Sequence, residues 1–231
     1  MDNDSFPHAG VGAPDYTLHL PDIPWDEVAG RIPVEVQLAG GPRYAATFLT
    51  LEHVRQQTER DRETGDCLGG RYFWAPRMVF LERLTRDRIR RAVWHMLCTS
   101  CLEGPFERMD AIPESSPLAQ RPAYTCKIIA YRPWDPDDVN LDVDITLETG
   151  ERYIPTFFTL RNIQWIMDKD KHTGERDGGL YHWTIDSILV ERVVEPLMVR
   201  AIEDMLDRGL MARACELYSP YEEDEDDDEE A

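Results

Sequence analysis

Thr64–Trp74 reads TGDCLGGRYFW, and Thr173–Trp183 reads TGERDGGLYHW, the same punctuation written twice at a separation of 109 residues. Extending outward without a gap, Pro24–Met109 lies over Pro133–Tyr218 with 26 of 86 positions identical, including PWD, the RY and TF pairs and the RA and ML pairs of the last helical stretch. Chance similarity seldom survives that length ungapped, so the sequence reads as a tandem duplication. With one residue of slippage the match reaches Tyr16-Thr17 and Tyr124-Thr125, so each copy begins with a short strand.

A reading of one copy serves for the other. YTLHL and YTCKIIAY are first strands, and Val34–Leu38 and Val143–Leu147 alternate apolar with polar, the period of a strand with one buried face. Turns at AGGP and ETGE then lead into RYAATFLT and RYIPTFFT, which predicts a hairpin in each copy. Thr50 and Thr159 stand where a helix N-cap belongs, so helices start at Leu51 and Leu160. Gly65 and Gly174 end those helices in the left-handed conformation that glycine adopts at least cost. The second glycine pairs, Gly69-Gly70 and Gly178-Gly179, launch a strand that begins RYFW or LYHW and resumes as MVFLER or SILVER. Pro76 predicts a bend in the first copy, while Ile185 lets the strand of the second continue. A last helix begins near Arg86 and near Pro196, with Ile89, Val93, Met96 and Leu97 at helical spacing.

Each copy is therefore a β-β-β-α-β-α unit. The expected fold is α+β, a mainly antiparallel sheet with helices on one face and the two copies related by a pseudo-twofold. The divisions are a disordered N-terminus (1–13), copy one (14–110), a connector (111–121), copy two (122–218) and a disordered acidic tail (219–231).

Composition bounds the function. At 42% apolar and 30% charged residues, the chain has the balance of a globular protein. No apolar run is long enough to span a bilayer, and the first residues lack the pattern of a secretory signal. Five scattered cysteines suit reduced thiols, and together these features point to a cytoplasmic protein. Net charge is −20, and the tail Glu222–Glu230 carries nine of the acids. Pro14–Asp110 holds 15 acids against 13 arginines, so the first copy is close to neutral.

Candidate sites follow from where the copies differ. Gln56, Gln57 and Thr58 become Trp165, Ile166 and Met167, so the first helix of copy two gains an apolar strip. That strip either covers the other copy or receives another protein. Arg86, Arg88, Arg90 and Arg91 form a basic patch on the last helix of copy one, able to clamp anions or to receive the acidic tail. His95, Cys98 and Cys101 step by three along its end, a weak signal for a soft metal or redox chemistry against the commoner reading of packed thiols. The acidic run Asp135–Asp144 lacks the glycine and terminal glutamate of a calcium loop. Tyr72 and Trp74, with Tyr181 and Trp183, read as core aromatics rather than the floor of a cleft.

Sequence signatures of serine hydrolases, zinc proteases, P-loops and dinucleotide sites are absent, and no histidine of one copy matches a histidine of the other. The leading expectation is a non-catalytic interaction or regulatory protein that needs no cofactor. Its partner is another protein, a basic one being favoured by charge, with no direct binding to nucleic acid or membrane. Two alternatives stay open: an acidic antagonist of a nucleic-acid-binding protein, in the manner of an immunity protein or DNA mimic, and an enzyme or small-ligand binder with its site between the copies.

Overall fold

A computed structural model describes residues 14–109, 121–129 and 133–218. The expected disorder at 1–13 and 219–231, and nearly all of the connector, fall outside the described residues.

In the first half, β2 (Arg31–Leu38) and β3 (Arg43–Leu49) form an antiparallel hairpin, and β1 (Tyr16–His19) pairs with β2. Ile32, Val34 and Val36 alternate inward along β2, as a period of two requires. Thr50 Oγ1 accepts the His53 N–H at 3.0 Å and starts α1 (Leu51–Thr64), which Gly65 closes at φ 83°. The turn α2 (Asp66–Gly70) leads to β4 (Tyr72–Phe73), then β5 (Met78–Leu81), α3 (Arg86–Cys98) and β6 (Glu107–Arg108).

In the second half, β7 (Tyr124–Ile129) and β8 (Asn140–Leu147) pair, and RYIPTFFT splits into β9 (Arg152–Tyr153) and β10 (Thr156–Phe158) around Pro155, which has no N–H to give to a ladder. Helix α4 (Leu160–Thr173), turn α5 (Glu175–Gly179), β11 (Tyr181–Thr184), β12 (Ser187–Val190), α6 (Glu195–Asp207) and α7 (Met211–Ala214) complete the chain. Helix, turn, strand and last helix each recur 109 residues on: Leu51 with Leu160, Asp66 with Glu175, Met78 with Ser187, and Arg86 with Glu195.

The fold is mixed α+β with two mainly antiparallel sheets, and the strands are dealt across the halves. One sheet runs β1-β2-β3-β5-β11, with β6 on β3; the other runs β4-β12-β10-β8-β7, with β9 on β8. Thus β4 of the first half pairs with β12 of the second, and β11 of the second pairs with β5 of the first. The stretch expected to be one interrupted strand is therefore two strands in two different sheets. The continuation expected at Ile185 does not occur. Arg77 and Asp186, at matched positions, both turn left-handed (φ 47° and 53°), and their carbonyls accept the Thr47 and Thr156 N–H groups at 2.9 Å.

Three apolar clusters hold this arrangement. Helix α3 packs Ile89, Ala92, Val93 and Met96 against Val34, Val36, Val79 and Leu81, while α6 does the same for the second sheet through Ala201, Ile202 and Met205. The third cluster joins the other faces of both sheets, through Leu49, Phe80, Phe158 and Leu189, to Val54 of α1 and Ile163 and Met167 of α4. All four residues of β5 are buried, which explains why MVFL reads as an unbroken apolar run.

Candidate interaction surface

The exchange begins at the repeated glycine motif. Cys67, Leu68 and Gly69 hold φ of 47°, 58° and 69°, and Arg176, Asp177 and Gly178 hold 48°, 56° and 67°. Each motif is a single left-handed helical turn, a conformation that costs non-glycine residues about 1–2 kcal/mol apiece. Contacts with the opposite half offset that strain. Cys67, Leu68 and Trp74 pack into the core of the second half, and Leu180 and Trp183 pack into the core of the first. Asp177 forms a bidentate ion pair with Arg91 of α3.

The exchanged tyrosines, each about 1% exposed, reach the last helix of the other half. Tyr72 Oη donates to Asp204 at 2.5 Å, and Arg208 Nη1 lies 3.4 Å from the same carboxylate and 3.8 Å from Cys67 Sγ. Tyr181 Oη meets His95 Nδ1 at 2.9 Å, and Cys101 lies near the same phenol. Burial first, then Asp204 and Cys67 at Tyr72 and Cys101 at Tyr181, push both phenols well above the usual tyrosine range, so neither is activated for proton transfer near neutrality. The aromatic pairs are core, and they tie the halves together.

These contacts redistribute the three residues considered as metal ligands. His95 and Cys101 converge on Tyr181, whereas Cys98 lies by Tyr16. Among the described residues no group of three or more histidine, cysteine or acidic side chains is gathered as a metal site.

The arginines of α3 have internal partners. Arg86 lies 4.8 Å above the Trp25 ring, Arg88 pairs with Glu82 at 3.2 Å, Arg90 lies 3.8 Å from Asp87, and Arg91 holds Asp177. The patch is thereby largely neutralised. The acidic run of the second half is similarly engaged: Asp144 pairs with Arg152, Asp137 with Arg192 and Asp138 with Arg161.

The apolar strip of α4 divides in two. Met167 is buried in the cluster that joins the halves, and Ile166 packs against it. Trp165, which stands where α1 has Gln56, remains 55% exposed. Beside it on the helix, Gln164 lines a cleft of about 410 Å³ built from both halves. Leu51, Leu81 and Met167 supply apolar lining, and Val28 lines it while remaining exposed. The charged lining is Asp26, Glu52 and Glu82 with Arg55. Asp26 accepts the Ala29 and Val28 N–H groups, which hold its carboxyl below the usual range. Glu82 is likewise lowered, first by Lys171, which reaches it from the other half, and then by Arg88.

Comparison with protein-family models, with curated proteins and with solved structures finds no match to this chain. Geometry alone therefore carries the functional argument. The sequence offered a site between the copies only as an alternative and pointed to none of this lining, which comes from a loop, two helices and a strand end, each unremarkable by itself. The polarity difference at Trp165 was legible, but which of three consecutive residues stays outside depended on how α4 is rotated against the sheets.

Among the described residues no helix is long and apolar enough to cross a membrane.

Proposed function

We propose that this chain is a non-catalytic interaction protein whose docking surface is the exposed Trp165 together with the cleft between the halves. The observation that carries this reading is Trp165 itself: it keeps 55% of its surface in solvent while Ile166 packs against the core and Met167 is buried in it. Tryptophan is the residue type most enriched among the anchors of protein interfaces, and an apolar cleft with a charged border is what a partner's side chain fills.

The test is quantitative capture with the full chain, comparing wild type with Trp165→Ala and Val28→Asp. A partner held by the wild type and weakened at least tenfold by either substitution supports the proposal, a loss typical of an interface anchor. Equal capture by all three proteins overturns it. The cleft's volume also lies in the range of small-ligand sites, so a thermal-shift screen of metabolites on the same proteins separates a ligand-binding role from a protein-binding one.

A further inference from the structure

Four strands end the two sheets. β4 and β11 are mostly buried and β1 is largely half-buried, whereas β7, the longest of them, exposes Thr125, Cys126, Lys127 and Ile129. The hydrogen bonds of its neighbour fix which backbone groups of β7 are used. Glu148 N–H donates to the Ala123 carbonyl at 2.8 Å, while Val143 and Leu147 send their N–H groups the other way, to Pro155 and Glu151. Bonded residues alternate along an antiparallel pair. With Tyr124 opposite Leu147 and Ile128 opposite Val143, it is therefore Thr125, Lys127 and Ile129 that bond β8. Tyr124, Cys126 and Ile128 turn N–H and C=O outward, and among the described residues no strand receives them.

These residues, each with one outward donor and one outward acceptor, complement the same residues run antiparallel. Only a twofold at Cys126 maps the set onto itself: Tyr124 then bonds Ile128 of the second copy, and Cys126 bonds Cys126 of the second copy. Charge agrees with that register. A twofold at Lys127 would set two ammonium groups opposite each other, whereas at Cys126 the lysine faces Thr125 of the second copy and keeps Asp144 of β8 on its other side. Beside the edge, where the Tyr124 hydroxyl meets Glu203, Arg121 pairs with Glu203 at 3.3 Å and with Asp207 at 3.0 Å, which partly offsets those acids. A second copy also brings an edge already ordered, without the ordering cost that a flexible segment carries.

We propose that β7 is a self-association edge, to which a second copy of this chain adds antiparallel about a twofold at Cys126, joining the second sheets of both copies into one. Strand addition of this kind draws its affinity from main-chain hydrogen bonds. Pairing of one edge buries less than a standard interface, and the net charge of −20 on each copy opposes approach. The dimer is therefore weak, forms at high chain concentration and tightens as salt rises.

Sedimentation equilibrium of the full chain, in low and in high salt, reads the dimer directly. Thr125 is exposed and meets Lys127 of the second copy on both sides of the twofold. Thr125→Glu is therefore expected to tighten the dimer about fivefold and Thr125→Lys to weaken it about fivefold, the effect of two cross-strand charge pairs. Cys126→Pro removes an outward N–H and spares the β8 ladder, so it is expected to abolish the dimer with an unchanged circular dichroism spectrum. Cys126 is also the one exposed cysteine of the five, so a short bis-maleimide is expected to join wild-type chains there. A chain that stays monomeric at its highest soluble concentration overturns the proposal, whether the edge is bare or covered by a segment of the same chain. So does a dimer that answers to neither Thr125 substitution, or one cross-linked elsewhere.

Discussion

Tyr72 and Asp204, 132 residues apart in sequence, are joined by a 2.5 Å hydrogen bond across the two halves, and the matched pair Tyr181 and His95 is joined at 2.9 Å. Both tyrosines lie on exchanged strands and both partners lie on last helices, so these bonds measure how firmly the halves interlock. Tyr72→Phe is expected to cost about 1–3 kcal/mol, because the bond has a charged acceptor, and Tyr181→Phe about 1 kcal/mol. Urea unfolding followed by circular dichroism gives both values, and an unchanged denaturant slope shows that only stability moved.

The left-handed turns make a sharper prediction. A Cβ added to Gly70 would fall 1.9 Å from the Thr58 carbonyl oxygen, and one added to Gly179 would fall 2.4 Å from that of Met167, both at positive φ. Alanine at either site forces backbone apart and is expected to cost about 4 kcal/mol or more, beyond the usual range for single substitutions. Gly69 has the same conformation with open space around it. Gly69→Ala should therefore cost only about 1–2 kcal/mol. If the two classes unfold at the same denaturant concentration, the close approach of turn to helix is wrong.

Asp186 links the strand crossing to pH. Burial, and then the Glu216 carboxylate, raise its carboxyl to about 6, against the Glu216 N–H, which donates to it at 2.9 Å, and the Arg77 guanidinium. Cys215 lies within its field. Because the folded value exceeds the unfolded one, its contribution is fully present below about pH 4 and is lost as pH rises through about 6, at most about 3 kcal/mol. Asp186→Asn should therefore be more stable than the wild type at pH 7 and equal to it near pH 4. Thermal melts across that window check the sign.

His182 and Thr184 stand where the first half has Phe73 and Ala75. The imidazole lies between Phe80 and Phe158 at centroid distances of 6.4 and 6.2 Å, and among the described residues neither its nitrogens nor Thr184 Oγ1 has a hydrogen-bond partner. Burial, and then Arg176, push its pKa down to about 3. This depressed value means stability is fully present above about pH 6.5 and declines as pH falls towards 3. Replacing both residues by those of the first half, His182→Phe with Thr184→Ala, should stabilise the protein by about 1–3 kcal/mol at neutral pH, the cost of leaving buried polar groups unpaired. The gain should widen in acid. A loss at every pH would mean that the phenylalanine overfills the site.

Much of the local structure was legible in the residues. Thr50 and Thr159 cap their helices, Gly65 and Gly174 close them, and the alternation of Val34 and Val36 chooses the buried face of β2. These are decisions made within one turn or one pleat, by sterics and by hydrogen bonds between near neighbours. Trp165 was also visible, because a matched helix with glutamine at the same position made the difference in polarity plain.

What local pattern could not decide was the partner of each strand. RYFW and MVFL look like one strand with a proline in it, and LYHW and SILV look like one without, yet each stretch crosses between sheets at a left-handed residue. The choice rests on which last helix receives Tyr72 and Tyr181 and which core receives Leu68 and Leu180. Those contacts span from about 80 to more than 130 residues. Apolar burial is indifferent to the half that supplies the surface, so only the assembled tertiary structure, where shape and hydrogen-bond partners meet, settles it.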